Sequence, residues 1–166
     1  MKRLGIAALL LGVVLVQVTW APRITIAGAF PNLALVTVIA ITWTAGVRSG
    51  MIWACIAGLM LDLTAPGPVG PHALALVVPA YLTGFWTRNL ERASVLHVVI
   101  GAAVNTCVYS LVLVIADETL GLPVPPLGVA LQLVVSAALY NAAFMPVAQM
   151  VVRSVHAPPT RRIEPV

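Results

Sequence analysis

The sequence predicts an all-α integral membrane protein with six transmembrane helices, and three observations carry that prediction. Hydrophobic residues make up 61% of the 166-residue chain and charged residues only 8%, whereas a soluble domain carries about 25% charged residues. The apolar residues fall in continuous runs rather than in the apolar–polar alternation of a membrane β-barrel strand. Helices satisfy their own backbone hydrogen bonds in lipid, and continuous runs are what that demands.

Six apolar segments follow one another. They run from Leu4 to Trp20, Pro31 to Gly46, Gly50 to Leu63, His72 to Thr87, Ser94 to Ala116 and about Pro126 to Val152. Pro31 opens the second as an expected helix start, and Pro146 is expected to kink the sixth. The third and fourth are short against the roughly 20 residues of a full span, so local bilayer thinning or shifted boundaries is expected there. The connectors are a tight turn at Gly46-Val47-Arg48-Ser49-Gly50, a Pro/Gly stretch from Thr64 to Pro71, a charged link from Arg88 to Ala93, and an acidic, Pro-broken link from Asp117 to Pro125. Two regions are expected: a six-helix transmembrane domain over 1–152 and a basic, disordered cytoplasmic tail over 153–166. No soluble domain and no internal repeat is legible.

Charge placement sets the orientation. With both termini inside, Lys2, Arg3, Arg48, Arg88, Arg92, Arg153, Arg161 and Arg162 face the cytoplasm and only Arg23 faces out. Positive residues favour the cytoplasmic side, so an N-in, C-in chain is predicted. The net charge of +4 is therefore a matter of topology and not of nucleic-acid binding. Lys2-Arg3 and the following apolar run also resemble a signal peptide, with Ala27-Gly28-Ala29 as an A-x-A cleavage pattern. The run is longer than an ordinary signal core, and an uncleaved first span is preferred.

Polar residues inside membrane segments are functional candidates. Asp62 ends the third segment, and Gly50, Ala54 and Gly58 precede it at intervals of four. This small-residue stripe is a candidate partner-binding face, because small residues let another helix approach closely. It serves internal packing equally well. A carboxylate at a helix C-terminus opposes the helix dipole, so Asp62 needs a partner. The following backbone N–H groups, Thr64 and His72 are the candidates, and a turn-fixing role stands beside partner contact or an ion role. His97, Gly101, Asn105 and Tyr109 form an expected polar seam on the fifth segment. Gln17, Asn32, Gln132, Asn141 and Gln149 read as interhelical bonds. Cys55 and Cys107 lie in apolar runs and read as buried small hydrophobes. The four tryptophans, Trp20, Trp43, Trp53 and Trp86, fall near segment ends as interfacial residues do. No metal-ligand spacing, P-loop, nucleophile elbow or nucleophile–base pair occurs, so neither catalysis nor a cofactor is expected.

Several of these residues together resemble a family. Pro31-Asn32-Leu33 opens a span, Gly46-x3-Gly50 follows, and then Gly58-Leu59-Met60-Leu61-Asp62-Leu63. The turn Pro66-Gly67-Pro68-Val69-Gly70, the run His72-Ala73-Leu74-Ala75-Leu76 and Tyr81-Leu82-Thr83-Gly84 complete the pattern. This resembles MreD, the rod shape-determining family of the bacterial cytoplasmic membrane, best over Pro31 to Gly84. The resemblance implies a non-enzymatic scaffold of the cell-elongation and peptidoglycan-synthesis machinery. Its implied partners are MreC, the RodA glycosyltransferase with its penicillin-binding transpeptidase, and MreB filaments indirectly, with membrane lipid around the chain. It also implies a fold similar to the substrate-binding subunits of energy-coupling-factor vitamin transporters. That similarity supplies the rival expectation, a small-solute transporter subunit.

Overall fold

The structure, a computed structural model, describes residues 2–20, 23, 25, 28–89 and 94–156. Six helices account for nearly all of them: α1 Lys2–Thr19, α2 Leu33–Ala45, α3 Val47–Thr64, α4 Pro71–Asn89, α5 Val95–Thr119 and α6 Leu127–His156. The Lys2 side chain, Arg92, Arg161, Arg162, Ala27 of the A-x-A pattern and tail residues 157–166 lie outside the described residues.

α2 is the centre of the bundle and touches each of the other five helices. Its sequence LALVTVIAITWTA is apolar on every side, and Ala34 through Thr42 are all buried. A helix apolar all round belongs inside. Thirteen residues give only about 20 Å of helix, less than the roughly 30 Å hydrocarbon layer. Neighbouring helices surround α2, so its ends need not reach the lipid boundary. α1 turns Ile6, Leu10, Val14 and Gln17 inward and leaves Leu4, Leu11, Leu15 and Val18 exposed. That three- and four-residue spacing is one helical face.

Of the six helices, α3, α5 and α6 are long and apolar enough to cross a membrane, and α1 and α2 are shorter apolar helices. α4 falls in neither group, because His72, Pro79, Thr83, Thr87, Arg88 and Asn89 lower its mean hydropathy. The expected boundaries move in consistent ways. Pro31 stands outside α2, because Asn32 is the N-cap and its side chain accepts from Leu35 N–H. The expected five-residue turn before the third segment is a single residue. Gly46, at φ 85°, reverses the chain alone and α3 begins at Val47. Only a glycine takes that backbone conformation without strain. The third and fourth segments are therefore longer than expected, at 18 and 19 residues.

α5 runs past the expected end at Ala116 and closes on a Schellman motif. Gly121 N–H bonds Glu118 O at 3.1 Å, and Leu122 N–H bonds Asp117 O at 2.9 Å, the paired bonds that satisfy the last carbonyls of a helix. α6 continues four residues past Val152. Arg153 and His156 occupy its last turn, where cations complement the helix dipole. Its 30 residues span about 45 Å, so it projects beyond the hydrocarbon layer. Cys55 and Cys107 are exposed, not buried. In a bundle whose outer surface is apolar, a thiol is as compatible with lipid as with a core.

Two clusters mark the ends of the bundle. One gathers Arg3, the α2–α3 turn and His156. The other gathers residues 28–32, His72, and Asp117 with Val124 and Pro125. Successive helices therefore run in alternating directions.

Candidate functional site

Asp62 is the hub of the α3–α4 turn. It is only 3% exposed. Its Oδ2 accepts from Gly70 N–H at 2.9 Å and Ala73 N–H at 3.3 Å, and its Oδ1 accepts from His72 N–H at 3.0 Å. The His72 imidazole Nδ1 also lies 2.9 Å from Oδ1. Pro71 has no N–H, so the carboxylate takes the available donors around the first turn of α4. Although Asp62 lies in the last turn of α3, it acts as the N-terminal cap of α4, and the α4 dipole favours its charge. Of the three expected partners, the backbone amides and His72 bind it. The Thr64 hydroxyl bonds Leu61 O instead, at 2.8 Å.

The small-residue stripe faces inward. A Cβ on Gly50 would meet Thr42 of α2, and one on Gly58 would fall on the backbone of Ala73 and His72 in α4. Ala54 between them is fully buried. A third close approach pairs Gly84 of α4 with Val47 at the start of α3. The Gly58 and Gly84 approaches belong to the α3–α4 pair, the most extensive in the bundle. The role of Gly84 was not assigned from sequence, although it closes the Tyr81–Gly84 motif.

A buried polar network ties α2 to its neighbours at the same end. Gln17 of α1 accepts from Ala34 N–H at 2.7 Å. Asn141 of α6 accepts from Asn32 N–H at 2.8 Å and donates to the Thr106 hydroxyl of α5 at 3.0 Å. Tyr109 of α5 meets the Asn32 side chain. Of the expected seam, Tyr109 crosses to another helix, whereas Asn105 turns back to Gly101 O at 2.8 Å. His97 stays with Ser94, its Nδ1 lying 2.7 Å from the hydroxyl in a capping box. The seam drawn at four-residue steps missed Thr106, which lies one residue from Asn105 and three before Tyr109 on the buried face. Replacing Asn141 by leucine is expected to cost about 1–2 kcal/mol and to lower the unfolding midpoint in detergent, because it leaves Asn32 N–H without its acceptor.

Two concavities open at this end. A cavity of about 350 Å³ lies between residues 28–32 and helices α5 and α6, with Asn32, Thr106, Tyr109 and Asn141 in its wall. A groove of about 380 Å³ lies between the clamped turn and the end of α5, lined by Val69, Leu74, Val112, Ile115 and Leu120 among others. Val69 and Leu74 are exposed at 59% and 54%. Among the described residues no group of His, Cys, Asp or Glu is placed to hold a metal.

Apolar helices around a buried central helix, tied to it by a few buried polar bonds, define an integral membrane protein built on helix packing. The chain belongs to the MreD family: the family described as rod shape-determining protein MreD matches residues 3–122. No match is found among curated proteins or among solved structures. MreD proteins are non-enzymatic proteins of the bacterial inner membrane that act in rod-shape determination. The match takes in α1 to α5 and stops just beyond Gly121, before α6.

Proposed function

We propose that this chain is a membrane scaffold of the cell-elongation machinery that docks the membrane-proximal segment of an MreC-like single-pass protein. The observation that carries this reading is the apolar groove beside the Asp62-clamped turn. Its exposed Val69, on the turn, and Leu74, in the first turn of α4, flank backbone that Asp62 clamps, and a rigid apolar surface binds a partner with little ordering cost. Gly50, Ala54, Gly58 and Asp62 serve docking by building this hairpin, not by touching the partner. RodA with its penicillin-binding transpeptidase would join through that partner, and MreB filaments indirectly. Six spans with both termini in the cytoplasm fit the reading, because Arg3, Arg48, Arg88 and Arg153 then face inward and the groove faces out. The residues beyond the last span form a basic cytoplasmic tail.

The 350 Å³ cavity favours a second reading, a small-solute transporter subunit. None of the four tryptophans lines it, and Asn32, Thr106 and Asn141 already bond one another. Depletion in a rod-shaped bacterium separates the two. The scaffold reading expects rounded cells and co-purification with the MreC-like protein, and rescue by the wild-type chain. Vitamin uptake that depends on the chain, with shape unchanged on depletion, would overturn it.

A further inference from the structure

At the end opposite the clamp, a concavity of about 760 Å³ gathers Arg3 of α1, Arg48 and Ser49 of α3, and His156 of α6, beside Ile52 and Trp53. Among the described residues no acidic side chain lines it. The ion pair found among the described residues is the remote His72–Asp62 contact, so neither guanidinium has a carboxylate partner there. The His156 Nδ1 is buried with no hydrogen-bond partner among the described residues. The α3 helix begins here on Gly46, which offers no side chain to its first-turn amides. Three helices thus bring hydrogen-bond donors and positive charge to one place, with no carboxylate among the described residues to meet them.

An apolar track leaves the same place. Ile52, Ile56, Leu59 and Leu63 are exposed along α3 at 53%, 40%, 39% and 75%. Their spacing of four, three and four residues keeps them on one helical face. A free phosphate has no use for such a track, whereas a phospholipid fills both parts with headgroup and acyl chain. We propose that this concavity binds the phosphate of an anionic phospholipid, with Arg3 and Arg48 as its principal contacts and an acyl chain laid along Ile52 to Leu63. Arg48 and Ser49 present a guanidinium and a hydroxyl from one helix turn, and phosphate accepts both. Basic pockets between helices at a membrane surface recognise headgroups by this chemistry.

Native mass spectrometry of the full chain in detergent, titrated with phosphatidylglycerol or phosphatidylcholine, tests the proposal. Phosphatidylglycerol should stay bound at concentrations where phosphatidylcholine is lost. A lysine or arginine near the surface contributes about fivefold in affinity for anionic lipid. Arg3→Gln and Arg48→Gln should each lower retention about fivefold, and the double variant about thirtyfold. Arg3→Lys with Arg48→Lys should keep most of it. Arg153→Gln, an exposed arginine of α6 outside the concavity, should change it less than twofold. Equal retention of the two lipids by the wild-type chain would overturn the proposal without reference to any variant. So would an equal loss from Arg153→Gln, the mark of diffuse charge attraction. Displacement of the lipid by millimolar inorganic phosphate would assign the concavity to a free anion and overturn the lipid as well.

Discussion

Replacing Asp62 by alanine is expected to destabilise the bundle by about 3 kcal/mol or more, the largest loss expected from any single polar side chain here. The carboxylate accepts from the backbone N–H groups of Gly70, His72 and Ala73 and meets the His72 ring. Removing a buried acceptor costs about 1–3 kcal/mol for each donor left unsatisfied, and Asp62 serves three amides at once. Water reaches the exposed side of the turn and recovers part of the loss. Asparagine should fall between the two. It keeps one acceptor oxygen but turns an NH₂ group toward amide donors, so one of the two carboxylate positions becomes repulsive. Unfolding of the purified chain by titration into denaturing detergent measures both variants. A loss of stability in both, larger for alanine, supports the clamp. Full stability of the asparagine variant with loss of the partner would instead place Asp62 in direct contact with that partner.

Gly58→Ala is expected to be comparably damaging, although it adds one methyl group. That methyl would fall on the backbone of Ala73 and His72, and backbone cannot step aside as a side-chain end does. Overpacking a tight contact costs about 1–3 kcal/mol, and here it also pries α4 from the carboxylate that caps it. The matched control is Gly101→Ala on α5, where an added Cβ meets nothing within 4 Å. There, alanine's helix propensity should stabilise by up to about 1 kcal/mol. Opposite signs from the same substitution, read as shifts of the thermal midpoint in one detergent, would show that α3–α4 proximity and not glycine itself matters.

The class of protein was legible because it depends on composition and run length, which are local properties. The Asp62 role was partly legible for the same reason: a carboxylate beside a Pro/Gly turn needs donors, and the turn's amides are near in sequence. What sequence could not supply was direction. Gly50, Ala54 and Gly58 mark a close helix approach, but spacing alone does not say whether α2 and α4 or another protein fills it. The polar seam failed at His97 for a related reason. Periodicity put His97 on the face of Tyr109, while Ser94 three residues before it offered a local capping bond. The Asn32–Asn141–Thr106 chain joins residues up to 109 positions apart, and no local pattern announces such a pair. The α2–α3 turn was drawn too long because a glycine at each end, Gly46 and Gly50, invites a loop between them. Gly50 instead has its glycine for contact with Thr42.

We place the MreC-like partner in the groove beside the clamped turn. Site-specific photo-cross-linking in living cells reports that placement. A photoreactive residue at Leu74, exposed in the groove, should capture that partner, and one at Leu139, exposed on α6 outside the groove, should not. Capture at Leu139 with none at Leu74 or Val69, in cells whose rod shape the labelled chain maintains, would put the partner on α6 and not in the groove.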